Sequence, residues 1–236
     1  KVSDETLAAW AQILSAVPNS RLLLKSAAFS SEEGCAAAFE RLQAAGIEPA
    51  RVELRPDTRE YLHEYHGVDI ALDTFPYPGG GTTFDALYMG VPVVTLRGDA
   101  HGTRFGFSIL ANLGLEDLAA ADAASYVEKA VALAKDAELL AALHKNLRPM
   151  MEKSPLMDGA SYTAALEAGY EAALAAHDAA RRIDDEEDDG TCDEAPLCLA
   201  DGDASIAAHL LYMCREASEL QDAQDKLEHP HEDGNQ

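Results

Sequence analysis

TFPYPGGGTTFDALYMGVPVVTL, residues 74–96, crowds aromatic residues and prolines against three consecutive glycines, Gly79, Gly80 and Gly81, and two threonines, Thr82 and Thr83. It reads as a loop, a short helix from about Thr82 to Met89 and a buried strand over 91–96. Just upstream, VDIALD (68–73) is the strand that delivers the chain into the loop. Glycines let a backbone approach a ligand closely, and the amides that open a helix carry partial positive charge, so the guest that suits this turn is an anion such as a phosphate. The same residues also fit a plain tight turn in which Thr82 caps the helix and Asp85 completes a capping box. Two other phosphate loops are excluded: no lysine follows Gly81, as a Walker A loop requires, and Phe84 stands where the dinucleotide fingerprint needs its third glycine.

Outward from this stretch, strand and helix patterns alternate. Leu7, Trp10, Ala11, Leu14 and Val17 recur at helical spacing, and RLLLKS (21–26) follows as a short strand. Ser30 and Glu33 form a capping-box pattern for a helix that closes at Gly46. RVELRP (51–56) is the next strand, and Asp57 with Glu60 marks the start of a short helix. Residues 101–148 read as mostly helical with a stop near Pro149, and 159–180 as an alanine-rich helix. Short strands separated by helices imply an α/β fold with a Rossmann-like, doubly wound parallel sheet, whose ligands sit beyond the carboxyl ends of the strands.

Of 236 residues, 47% are hydrophobic and 25% charged, the balance of a globular protein, and no apolar run reaches the roughly 20 residues of a membrane-spanning helix. The formal charge of -24 argues against nucleic acid or an anionic membrane surface as a partner. Much of it is concentrated in residues 183–236, which hold 17 acidic and 2 basic residues. The expected organisation is a lobe over 1–182, an acidic linker over 183–204 and an amphipathic helical tail over 205–236. Cys35, Cys192, Cys198 and Cys214 form no zinc-type cluster and leave a reducing compartment as the default. Asp201-Gly202-Asp203, an Asp-x-Asp of the kind that can carry a metal-bound diphosphate, lies inside the acidic run and reads as solvated charge, so no metal is assigned.

The stretch VDIALDTFPYPGGGTTFDALYMGVPVVTLRGDAHGTRFGFSILANLGLEDL resembles the carboxyl-terminal catalytic lobe of the O-GlcNAc transferase and SPINDLY family of nucleotide-sugar glycosyltransferases. The resemblance is carried by Asp69, Leu72-Asp73, Phe75-Pro76-Tyr77, Gly79-Gly80, Thr82-Thr83, Asp85-Ala86-Leu87, Met89-Gly90-Val91-Pro92, and then Gly98, His101 and Arg104. Weaker matches at KVSDETLAAWAQILSAVPNSRLLL, at Ser154-Pro155-Leu156 and at SYTAALEAGY extend it over about residues 1–175.

The resemblance implies the C-terminal lobe of a two-lobed GT-B glycosyltransferase, with the other lobe and a helical-repeat region expected before Lys1. It implies inverting transfer of N-acetylglucosamine from UDP-GlcNAc to Ser/Thr hydroxyls of acceptor proteins, without a metal or other cofactor, in the cytoplasm or nucleus. Lys1 occupies the position of the lysine that meets the sugar diphosphate, Thr82 and Thr83 that of its phosphate contacts, and Asp85 that of the ribose-holding carboxylate. Tyr61 stands where many members carry a histidine near the base, and His101 and Arg104 form a second rank. Pro78 replaces the usual asparagine and Gly81 the first threonine of the run, so donor affinity or donor choice is expected to differ from the family's usual behaviour. GDP-fucose-dependent transfer to proteins and a non-catalytic nucleotide-sugar-binding module are the alternatives.

Overall fold

The computed structural model describes residues 2–187; Lys1 and residues 188–236, which include most of the expected linker and the whole expected tail helix, lie outside the described residues. The chain divides into one unit up to Ala165 and a second from Leu166.

In the first unit the strand and helix alternation is realised as α1 (Asp4–Ala16), β1 (Leu22–Lys25), α2 (Glu32–Ala44), β2 (Val52–Arg55), β3 (Ala71–Leu72), α3 (Gly81–Tyr88), β4 (Val93–Leu96), α4 (Phe105–Asn112), β5 (Ala119–Ala120), α5 (Ala123–Lys135) and α6 (Ala137–Glu152). A last helix, α7, starts at Gly159 and is described as far as Glu187 in the second unit. Every strand pair is parallel: β1 with β2 in one ladder, and β3 with β4 and β4 with β5 in another. Val93, Val94 and Thr95 are all buried. Because successive strand residues point to opposite faces, β4 is covered on both sides, as a doubly wound sheet requires. The fold class read from the sequence is therefore the one observed.

Several boundaries differ. The cap of α2 is Ser31, whose hydroxyl accepts from the Gly34 amide at 3.1 Å, because a 3₁₀ turn at Ala27–Ser30 engages Ser30 with the Ala27 carbonyl. The short helix expected at Asp57 is instead a 3₁₀ segment, Tyr61–Gly67. Of the 68–73 strand only Ala71–Leu72 is laddered, and Pro149 lies inside α6 rather than ending it. A proline this close to the end of a helix removes one amide donor and leaves little helix to disrupt after it. β5 is two alanines and carries no strand signal in the sequence.

The core lies where α1 packs on α5 and where α3 packs on α6. From α1, Trp10 buries its ring and donates from Nε1 to the Tyr126 hydroxyl of α5 at 3.3 Å. Tyr126 in turn donates to the Asp73 carbonyl at 2.8 Å and meets Phe75 edge-on, with centroids 5.2 Å apart. Gly90, which closes α3, has φ +84°, and a Cβ there would lie 2.9 Å from the His144 carbonyl of α6. Only glycine meets both conditions at that helix crossing.

The start of α1 is tied directly to the glycine-loop segment. Ser3 caps α1 by accepting from the Thr6 amide, and its hydroxyl donates to the Phe75 carbonyl at 2.7 Å. Thr6, fully buried, donates to the same carbonyl at 2.8 Å and accepts from the Phe75 amide at 3.2 Å. Thr6→Val keeps the shape and strands a buried amide, so urea denaturation should show a loss of about 1–3 kcal/mol, with Thr6→Ser recovering most of it. A neutral valine variant would show that this hydroxyl does not hold the loop.

Candidate functional site

The loop that leaves β3 is organised by one buried carboxylate. Asp73, 8% exposed, accepts from the Gly79 amide at 2.6 Å and the Thr74 amide at 3.0 Å through Oδ1, and from the Thr95 hydroxyl at 2.8 Å through Oδ2. One side chain thus closes the loop on itself and fastens it to β4. The neighbouring backbones come in close. A Cβ on Gly79 would stand 2.6 Å from both the Thr82 and Thr83 hydroxyl oxygens, and one on Gly106 at the start of α4 would stand 2.6 Å from Asp73 Oδ2. Burial pushes the Asp73 carboxyl up to about 6, against the pull of its hydrogen bonds from Gly79, Thr95 and Thr74.

Gly80 is the cap residue of α3 and uses no side chain to do it, which corrects the alternative in which Thr82 caps the helix. The Thr83 and Phe84 amides both donate to the Gly80 carbonyl at 3.1 Å, and the Gly81 and Thr82 amides head the helix before them. A Cβ on Gly80 would meet nothing within 4 Å, so the loop is open on that side. Thr82 is exposed at the helix mouth, whereas Thr83 and Asp85 are buried at 3% and 6% exposure.

A cleft of about 1030 Å³ runs between β1 and β3, with residues of both strands in its wall. β1 pairs with β2 and β3 with β4, so the cleft lies between the two parallel ladders. Trp10, Leu14 and Ala130 line its apolar depth, and Thr58, Tyr61, Tyr65 and Thr82 line its polar part. The Tyr65 hydroxyl donates to the Thr82 carbonyl at 3.4 Å. Burial, and then the nearby Asp85 carboxylate, raise the Tyr65 phenol well above its ordinary value.

The expected site residues therefore fall into two groups. Tyr61, Gly79, Gly80, Gly81, Thr82, Thr83 and Asp85 all belong to the loop, to the first turns of α3 or to the adjoining cleft. His101 and Arg104 lie beyond the end of β4 and outside the wall of that cleft: His101 meets the Phe105 ring edge-on at 5.3 Å, and Arg104 Nε donates to the Gly98 carbonyl at 2.8 Å. Lys1 lies outside the described residues. Asp73 and Tyr65 carry roles that no spacing pattern reveals; an acidic residue ending a buried apolar strand was the available signal for the first. Among the described residues no group of three His, Cys, Asp or Glu could hold a metal, and no helix is long and apolar enough to cross a membrane.

Fold and site define a parallel α/β lobe with a carboxylate-braced glycine loop that leaves β3 and opens α3. The chain belongs to Glycosyl transferase family 41, whose profile matches residues 1–166. It is 43% identical over 173 residues to the probable UDP-N-acetylglucosamine--peptide N-acetylglucosaminyltransferase SPINDLY of Solanum lycopersicum, covering 72% of this chain and 19% of that protein. The corresponding Petunia hybrida protein is 44% identical over 177 residues, with the same coverage. The Caenorhabditis elegans UDP-N-acetylglucosamine--peptide N-acetylglucosaminyltransferase is 32% identical over 165 residues, 69% of this chain and 14% of its own length. Among solved structures, a lysine-to-methionine variant of the Thermobaculum terrenum O-GlcNAc transferase superposes with a TM-score of 0.67 at 37% identity, covering 70% of this chain and 32% of that one. The chain thus spans about a fifth or less of the length of these curated relatives.

The raised Asp73 value has a consequence for stability. Between the ordinary 3.8 and about 6, the folded protein holds a proton that the unfolded chain has released, so this carboxyl's contribution to stability is fullest below pH 4 and is lost as pH rises through 6. Asp73→Asn abolishes that slope whatever its constant offset. Urea denaturation of both proteins should show the wild type losing about 2–3 kcal/mol relative to the variant between pH 4 and pH 7. A pH-independent difference would mean that the three donors keep Asp73 ionised throughout.

Proposed function

We infer that this chain is the donor-binding lobe of a protein O-GlcNAc transferase, which transfers N-acetylglucosamine from UDP-GlcNAc to Ser/Thr hydroxyls with inversion at the anomeric carbon. The observation that carries this reading is the Asp73-braced glycine loop, which opens α3 at the edge of the cleft between the two ladders in a member of Glycosyl transferase family 41. The names of the relatives, plant and animal alike, favour UDP-GlcNAc as donor.

In this scheme the Gly81 and Thr82 amides and the Thr82 hydroxyl receive the diphosphate, and Asp85 accepts from the ribose hydroxyls; Thr83, expected among the phosphate contacts, is only 3% exposed and supports the loop instead. Tyr61 and Tyr65 flank the base. Departure of the diphosphate leaves negative charge behind, so aligned amides and the ammonium of Lys1 stabilise the transition state more than the bound donor. The tie from Ser3 to the Phe75 carbonyl supports the Lys1 assignment, because it anchors the chain two residues after Lys1 to the loop segment. The acceptor hydroxyl is supplied by the substrate protein. No metal is assigned a role.

Calorimetry on the intact transferase should show UDP binding more tightly than GDP, and Asp85→Ala weakening UDP by about tenfold or more through the loss of a charge-assisted hydrogen bond. Clear GDP preference would move the assignment to fucosyl transfer. Binding of neither nucleotide would support the non-catalytic reading instead.

A further inference from the structure

The 3₁₀ segment Tyr61–Gly67 carries both tyrosines of the cleft, and Tyr65 packs against the core. None of its residues is fully buried, and its cap residue Glu60 makes no side-chain capping bond. A 3₁₀ turn of seven residues is also poorly hydrogen-bonded by its own geometry. Its anchors must therefore be side chains that reach other elements. On the cleft side there is Tyr65, through the Thr82 carbonyl. Further along the wall of the same cleft there is Glu64.

Glu64 sits where the carboxyl ends of β1 and β2 converge. Its Oε1 accepts from the ammonium of Lys25, the last residue of β1, and from the Thr58 hydroxyl at 2.6 Å. Its Oε2 accepts from Arg55 Nη1 at 3.4 Å, at the end of β2. Lys25 also donates to the Thr58 hydroxyl at 2.7 Å, and Arg55 is steadied by Glu53. Lys25 and Glu64 keep only 24% and 21% of their side-chain surface exposed. The Lys25 and then the Thr58 hydrogen bonds hold the Glu64 carboxyl down to about 2, below its ordinary 4.5. An isolated surface ion pair contributes little, but a carboxylate shared among three donors from two strand ends and a loop has a defined geometry.

We propose that Glu64 is a positioning residue for the nucleotide: it clamps the Tyr61–Gly67 segment to the ends of β1 and β2, so that Tyr61 and Tyr65 stand at the cleft beside Thr82. The proposal rests on the donor-site reading above and adds the element that sets the base-facing wall of that site. Lys25, Thr58 and Glu64 belong to the wall of the cleft and not to the glycine loop or the head of α3, so the clamp acts on donor affinity more than on the chemical step.

The test uses the intact transferase and two readouts. The first needs no nucleotide: in Glu64→Gln, amide hydrogen exchange across Tyr61–Gly67 should accelerate about tenfold or more while α5 and α6 exchange as in the wild type. The second is the split of kinetic constants: the same variant should raise the donor KM and the UDP dissociation constant about tenfold, with kcat within about threefold of wild type. Lys25→Met should act in the same direction, and the double variant should do no more than the worse single one, since both changes open one clamp. Unchanged exchange in the segment, or unchanged UDP affinity in a variant of a wild type that binds UDP, overturns the positioning role alone. A joint fall of kcat, affinity and melting temperature shows a merely structural role and also overturns it. A wild type that binds neither UDP nor GDP refutes the donor-site reading itself, and the positioning role with it.

Discussion

The site depends on the Asp73 carboxylate, buried at the end of β3 and shared between the Gly79 amide, the Thr74 amide and the Thr95 hydroxyl. A buried carboxyl is costly unless its oxygens are satisfied, and here satisfying them requires the chain to turn back on itself within six residues. That turn brings Gly79 against the Thr82 and Thr83 hydroxyls and aims the first amides of α3 outward. The backbone carbonyl of the same residue accepts from Tyr126, which is held by Trp10 of α1. Loop, sheet and both helical layers therefore meet at one residue. A larger residue at Gly106 or Gly79 would force that meeting point apart.

Around this brace the molecule separates precision from adaptability. The half that holds the glycine loop is built from backbone, held by short side chains with few rotamers: Ser3, Thr6, Thr83 and Thr95. The half that borders the cleft on the β1 side is built from long side chains on a 3₁₀ segment that depends on its charged anchors. On the proposed reading the loop meets the diphosphate, which UDP-sugars and GDP-sugars share, and the wall meets the base, in which they differ. The departures at Pro78, Gly81 and Tyr61 lie in the loop, at the helix start and on that wall.

The sequence revealed the fold through its period. Short apolar runs at 21–26, 51–56, 68–73 and 91–96, separated by helical spacing, imply parallel strands, and the structure pairs them in parallel. It also revealed the glycine loop, because three consecutive glycines between a strand and a helix have few structural uses. β5 was invisible, since two alanines become a strand only through the register of β4 beside them. The acids Asp57 and Glu60 match a capping box and so predict a helix opening at Asp57 where the structure has a 3₁₀ segment at Tyr61–Gly67, whereas the Glu64 clamp is a tertiary arrangement that no local pattern records. Asp73 was legible as a residue of the family motif but not as the brace, which depends on Thr95, twenty-two positions away, folding back against it.

The central claim is that the Asp73-braced loop and the head of α3 receive the diphosphate of a nucleotide sugar. Amide hydrogen exchange on the intact transferase, free and saturated in turn with UDP and with uridine, tests it most directly. The account requires UDP to slow exchange at Gly79–Thr83 strongly, while uridine, lacking phosphates, slows the Tyr61–Gly67 segment and leaves the loop amides largely unchanged. Equal protection of the loop by both ligands, or protection by UDP confined to other parts of the lobe, would contradict it.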